Sequence, residues 1–361
     1  MRTPRLVFTI LAVLAALTTG ASEPTAQESP SPGGRFVRRL DKDGDGRVSR
    51  EEFDGPARAF DRHDANGDGY IDATEAPNRG SRRTSRAATT ATLEVMTVGT
   101  GSPQYNAERS RPSMLVTHGD TRILVDMGEG TEARLQQAKI DLGSIDAYCF
   151  THHHRDHNAE AMTLLPQAWQ RGFAGPVVGP EGTRDLVTFL RSFYAKDLAY
   201  RRGKRGGEAA PLPEAIVHEL PSKKALTVGG VKITTVEVPH SIATFAYRFE
   251  AGGRSIVISG DLTYTKDLGP FAKDADVLVM DSGAIVYVGQ RARPQGARKR
   301  KKPAAHATCE EVARMAAEAK AKKLVLVHFR TGAVDEEATR KRMGEIYDGE
   351  IVFAKDLDIH R

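Results

Sequence analysis

The sequence predicts an α/β protein: a large four-layer αββα sandwich preceded by a small, mainly helical module. Three observations carry that prediction. Apolar runs of strand length, with helical patterns between them, recur in two successive sets, as two packed sheets covered by helices require. Three histidines and an aspartate crowd onto one strand-to-helix loop, Thr151-His152-His153-His154-Arg155-Asp156-His157-Asn158. Two twelve-residue loops near the start repeat one spacing of acidic residues. A chain of 361 residues can hold one large domain and one small one. Its net charge of +5 points to anionic partners only where the charge clusters.

Residues 1–22 read as an export signal. Arg2 and Arg5 supply a positive start, residues 6–17 an apolar core too short to span a bilayer, and small residues near 20–22 a cleavage site. No cysteine stands there to carry a lipid. The expected location is periplasmic or extracellular, with no transmembrane anchor. Residues 23–34, rich in Pro, Ser and Gly, read as a linker.

Residues 35–77 hold the two acidic loops. The first places Asp41, Asp43, Asp45, the Arg47 carbonyl and Glu52 at positions 1, 3, 5, 7 and 12, with Gly46 at the sharp turn. The second repeats the scheme with Asp64, Asn66, Asp68, Tyr70 and Glu75. A hard cation needs six to eight oxygens, and this spacing wraps them around one point. Val48 and Ile71 stand at equivalent positions and are expected to pair as a small ladder, with Phe53 and Phe60 as the shared core. The region resembles a paired EF-hand with Ca(2+) as its ion. Pro77 leaves the last exiting helix very short. A stabilising role, or a calcium-dependent contact with a surface or polysaccharide, is expected over a regulatory switch. Residues 78–91, basic and without an acid, read as a second linker.

The large domain spans 92–361. Strands are expected at 93–98, 113–117, 122–125 and 145–150, and helices at 129–138, 159–169 and 182–194. Residues 200–207 read as a basic loop. A second set of strands follows at 217–220, 225–228, 231–238, 244–249, 254–259 and 277–280. Residues 290–303 form another basic loop, in which Arg298, Lys299, Arg300, Lys301 and Lys302 are candidate contacts for an anionic substrate. A helix at 306–321, a strand at 324–327, a helix after His328 and a final strand at 351–354 close the domain. Cys149 and Cys309 are expected to be separate, mostly buried thiols.

Neutral imidazoles and carboxylates in the pattern His-x-His-x-Asp-His suit zinc, iron or manganese, and allow two metals side by side. His240, Asp261 and His328 each lie just past an expected strand, so they can reach the same sheet edge as His152, His154, Asp156 and His157. With Val98-Gly99-Thr100-Gly101-Ser102-Pro103, Asp126-Met127-Gly128-Glu129-Gly130-Thr131, Pro239-His240-Ser241, Ser259-Gly260-Asp261 and His306-Ala307-Thr308, this set resembles the metallo-β-lactamase superfamily, in its ribonuclease Z and arylsulfatase-like branch.

The resemblance implies one metal on His152, His154 and His240, a second on Asp156, His157 and His328, and Asp261 bridging both. Two Zn(2+), or Mn or Fe in their place, then hold a bridging hydroxide that attacks an ester. Asp156 and His306 are the candidate catalytic residues, His306 as proton donor to the leaving group. Asp126 braces the metal loop, and His153 points away from it. Arg155 stands where ribonuclease Z commonly has glycine. No long inserted arm of the kind that ribonuclease Z uses to hold transfer RNA is evident between Trp169 and His218. The first expectation is an exported two-zinc phosphodiesterase acting on an anionic ester such as RNA. The second is an arylsulfatase or a phosphodiesterase of small molecules. The third is a calcium-dependent binding protein whose hydrolase domain is vestigial. Oligomeric assembly stays open.

Overall fold

The computed structural model describes residues 37, 40–53, 60, 63–64, 67–72, 75, 91–203, 212, 214–221, 225–281, 285–289 and 306–361; side chains 202 and 203 are excepted. The export signal, both linkers (except Ala91), Asn66, Pro77, Lys204, Arg205 and the basic residues Arg298 to Lys302 lie outside the described residues. The chain divides into two units, Met1–Arg86 and Ala87–Arg361.

In the first unit, β1 (Val48–Ser49) pairs antiparallel with β2 (Tyr70–Ile71), Val48 opposite Ile71. Val37, Leu40, Val48, Phe60 and Ile71 are buried together, and Phe53 packs edge-on against Phe60 with ring centroids 5.6 Å apart. The expected ladder and aromatic core are both present.

The second unit is built on two seven-stranded sheets. The first comprises β3 (Glu94–Gly99), β4 (Ser113–His118), β5 (Thr121–Val125), β6 (Ala147–Cys149), β7 (Pro176–Gly179), β8 (Ile216–Glu219) and β16 (Asp358–His360), in the order β16-β3-β4-β5-β6-β7-β8. The second comprises β9 (Leu226–Val228), β10 (Val231–Val238), β11 (Thr244–Ala251), β12 (Arg254–Ile258), β13 (Val277–Asp281), β14 (Lys323–Val327) and β15 (Glu350–Phe353), in the order β15-β14-β13-β12-β11-β10-β9. Each sheet begins with antiparallel neighbours and then turns parallel, β5 to β8 in one and β12 to β15 in the other. Parallel neighbours end on the same side, so the loops that follow them share one sheet edge.

Side chains alternate across each strand and sort into layers. Ile123 and Val125 of β5 meet Phe245, Tyr247, Val277 and Val279 between the sheets. Leu124 faces the other way, toward Leu135 of α1 (Thr131–Gln137), Leu164 and Trp169 of α3 (Ala161–Gln170), and Leu190 of α4 (Thr183–Phe193). Leu278 and Met280 face Leu268 of α6 (Leu268–Phe271), Val312 and Ala316 of α7 (Cys309–Ala319), and Met343 of α8 (Glu336–Gly344). These are the four layers of an αββα sandwich.

Several expected boundaries move. The helix expected at 159–169 is α3, which begins at Ala161, and a separate short helix, α2 (Arg155–Asn158), precedes it within the histidine loop. Residues 200–203, expected in a loop, are the last turn of α5 (Ala195–Gly203). The helix expected from 306 begins at Cys309, because Thr308 accepts from the Glu311 amide while the Glu311 carboxylate accepts from the Thr308 amide. His306 therefore stands ahead of the helix. Strands β7 and β16 and helix α6 fall where no element is expected, while α8 is the helix expected between His328 and the final strand. Cys149 and Cys309 are separate buried thiols, and burial pushes Cys309 up to about 12 and Cys149 higher still.

Candidate metal centre

The histidine loop leaves the carboxyl end of β6. His240 follows β10, Asp261 follows β12, Asp281 ends β13 and His328 follows β14. Their side chains converge in two abutting sets. In the first, His154 Nδ1 lies 3.0 Å from His152 Nε2 and 3.2 Å from His240 Nε2. In the second, His328 Nε2 lies 3.3 Å from Asp156 Oδ2, and His157 Nε2 lies 3.6 Å from the same oxygen. Asp261 stands between them. Its carboxylate is 3.4 Å from both His157 Nε2 and His328 Nε2, 3.8 Å from His152 Nε2 and 3.9 Å from His240 Nε2.

Backbone geometry brings Asp261 to this position. Gly260 has φ +63, and a Cβ there would lie 2.9 Å from the Thr151 Cβ, so the turn after β12 can pass the metal loop only as glycine. His328 and Asp126 also hold left-handed backbone, at φ 64 and 60. Such conformations cost of order 1–3 kcal/mol each for ordinary residues and persist where the surroundings enforce them.

Outer partners fix the rings. Asp126 Oδ1 accepts from the Thr151 amide at 2.8 Å, and its Oδ2 accepts from the Thr151 hydroxyl and from His157 Nδ1, both at 2.8 Å. The Thr151 hydroxyl in turn lies 3.0 Å from His152 Nδ1. One buried carboxylate thus braces a ring in each set. Asp281, which sequence reasoning passed over, does the same on the far side. It contacts His328 Nδ1 at 3.4 Å and hydrogen-bonds His306 Nδ1. His153 turns away from the centre, its Nε2 lying 2.9 Å from the Thr183 hydroxyl.

Charge in the site is poised for cations. Burial drives His152 far down, and the neighbouring imidazoles add to that. Burial would lower His157 too, but Asp261 and Asp126 outweigh it and hold that ring at about 10. Burial likewise opposes His328, which Asp261 and Asp281 raise well above its ordinary value. Burial would raise Asp156, but His328 and His157 pull it down to about 2. Burial also works against the His306 proton, yet Asp281 raises that group overall. His157 Nε2 is buried and has no hydrogen-bond partner, while two carboxylates lie within 3.6 Å of it. An orphaned nitrogen among carboxylates is the donor arrangement that a divalent metal completes, and the N/O donors suit zinc or its neighbours. His152, His154, His240 and Asp261 present mutually close donor atoms, as do Asp156, His157 and His328. Asp261, Asp281, His306 and His328 form a further such grouping.

In the first unit, Asp41, Asp43 and Asp45 bring carboxylate oxygens together, and so do Asp64, Asp68 and Glu75. Asp64 Oδ1 is buried without a partner, which fits a cation in the second loop. Glu52 is not in the first cluster. Its carboxylate accepts from the amides of Ser49, Lys42 and Asp43 at 2.8, 2.7 and 3.2 Å, and the Ser49 and Lys42 bonds hold it at about 2.

The profile of a β-lactamase superfamily domain matches residues 121–329, and that of an EF hand matches residues 38–54 and 57–75. Ribonuclease Z of Mycobacterium sp. (strain KMS) is 32% identical over 278 residues, 73% of this chain and 94% of the relative. Ribonuclease Z of Mycobacterium bovis (strain BCG / Pasteur 1173P2) is 30% identical over 277 residues, 73% of this chain and 96% of the relative. Two solved structures share the fold. The metallo-β-lactamase fold protein YhfI from Bacillus subtilis matches with a TM-score of 0.59 at 23% identity, over 74% of this chain and 98% of that one. Human tRNase Z, short form, matches with a TM-score of 0.55 at 21% identity, over the same shares. The chain belongs to the metallo-β-lactamase superfamily, in its ribonuclease Z-like branch, with EF-hand sequence ahead of that domain.

Proposed function

We propose that the protein is an exported two-zinc hydrolase that cleaves phosphodiester bonds, with RNA as its substrate. One observation carries this reading: two abutting donor sets share Asp261 at a sheet edge, and His306 stands beside them. Metals bound there would polarise the ester and make a water nucleophilic near neutral pH. His152, His154 and His240 would hold one metal, Asp156, His157 and His328 the other, and Asp261 both.

The chain's own groups do the rest. Water gives up a proton to solvent as its oxygen adds to phosphorus, the bond to the leaving oxygen breaks, and that oxygen takes a proton from His306, which regains one from solvent. Asp281 holds His306 by Nδ1 and raises its proton affinity, which favours the protonated ring and leaves Nε2 as the delivering atom. Asp156, a carboxylate held at about 2, stays ionised throughout. The calcium loops stabilise the first unit or tether it to a surface, and residues 1–22 direct export.

A second reading, hydrolysis of small phosphodiesters or aryl sulfates, has its own support. The described residues between Trp169 and His218 form β7, α4 and α5 where a transfer-RNA-holding arm would be inserted. Hydrolysis of bis(p-nitrophenyl) phosphate and p-nitrophenyl sulfate, measured side by side with an Asp261→Ala control, separates the readings. Phosphodiester turnover that the control abolishes, followed by cleavage of RNA, is the expected result. Sulfate turnover alone would overturn it.

A further inference from the structure

The ligand imidazoles are not braced alike. His157 leans on buried Asp126, His152 reaches the same carboxylate through Thr151, and His328 leans on buried Asp281. His154 leans on a hydroxyl instead: Ser241 Oγ lies 3.1 Å from His154 Nε2, and Ser241 is exposed. The contact also sets a tautomer. His154 turns Nδ1 toward His152 and His240, so Nδ1 must be the unprotonated, metal-facing atom and Nε2 must carry the hydrogen. Ser241 is placed to accept that hydrogen.

We propose that Ser241 is a positioning residue for the metal held by His152, His154 and His240, and that this metal is the weaker bound of the two. A neutral hydroxyl open to solvent holds a ring less firmly, and raises its basicity less, than a buried carboxylate does. The site of Asp156, His157 and His328 has carboxylate bracing on both imidazoles. It therefore fills first and empties last, and the His154 side exchanges its metal.

This inference rests on the two-metal reading, and direct metal binding tests each separately. The metal-depleted full chain, with calcium saturating, is titrated with zinc against a chromophoric chelator. Two zinc steps are expected. Ser241→Ala should weaken the weaker step about tenfold and leave the tighter one unchanged, the lower end of the range for an outer-partner loss. Ser241→Thr keeps the hydroxyl and should restore the weaker step, which a general loss of folding would not allow. Cobalt in place of zinc should show the altered band only at the second equivalent added. Two steps that Ser241→Ala leaves within twofold, or a shift confined to the tighter step, would overturn the proposal alone. One step or none would overturn it together with the two-metal reading.

Discussion

The EF-hand loops and the histidine centre both gather donors that repel one another or bury badly, and they do so in opposite ways. In the first loop Asp41, Asp43 and Asp45 come from five consecutive residues, lie near solvent, and are held by their own backbone: Gly44 and Gly46 donate to Asp41, Asp45 to Asp43, and Arg47 to Asp45. In the histidine centre the donors come from the ends of distant strands, and buried carboxylates from still other strands brace them. The contrast teaches where the work of assembly lies. A local loop leaves the ion to complete its fold. A sandwich edge draws its donors from distant strands and holds them with buried carboxylates.

The sharpest test of that contrast is calcium removal. An ion at a hundred times its dissociation constant stabilises a fold by about 2.7 kcal/mol. Chelating calcium should therefore melt the small unit while the melting temperature of the sandwich stays put, as read by calorimetry. Equal losses in both would break the comparison.

Next in size is Asp126→Ala. Because Asp126 reaches a ring in each set, both zinc affinities and phosphodiester turnover should fall about 10–100-fold, with calcium binding untouched. A loss confined to one zinc would show that Thr151 does not transmit the bracing.

A third test concerns protons in the metal-free sandwich. His157 is held at about 10, above its unfolded value, so its contribution is complete below about pH 6.5 and fades as pH rises through 10. Asp156 is held at about 2, so its contribution is present above about pH 4 and fades below that. Zinc-free protein should lose about 2–4 °C in melting temperature for each kcal/mol surrendered between pH 6.5 and 10. Zinc-loaded protein should stay flat there, because the metal takes the place of the His157 proton. Parallel declines would mean the ring is not a ligand.

The first-tier residues were legible in the sequence because each combines a donor type with a strand end. His152 to His157 follow the apolar run into β6, and His240, Asp261 and His328 follow β10, β12 and β14. The paired loops were legible because their spacing is local. What stayed hidden depends on contacts between distant segments. Asp281 ends a buried apolar strand, and its partners lie 25 and 47 positions away. Thr151 and Ser241 carry no signature beyond a hydroxyl. His306 was read into a helix because its neighbours favour one, and only the reciprocal bonds of Thr308 and Glu311 put the start three residues later. The Thr308-x-x-Glu311 spacing was there to be read.

Anomalous diffraction at the zinc edge, on crystals of the calcium-saturated full chain, tests the central claim most directly. Two peaks about 3.5–4 Å apart with the Asp261 carboxylate between them are the expected result. A single peak, or two that do not share Asp261, would contradict the shared centre on which the hydrolase reading stands.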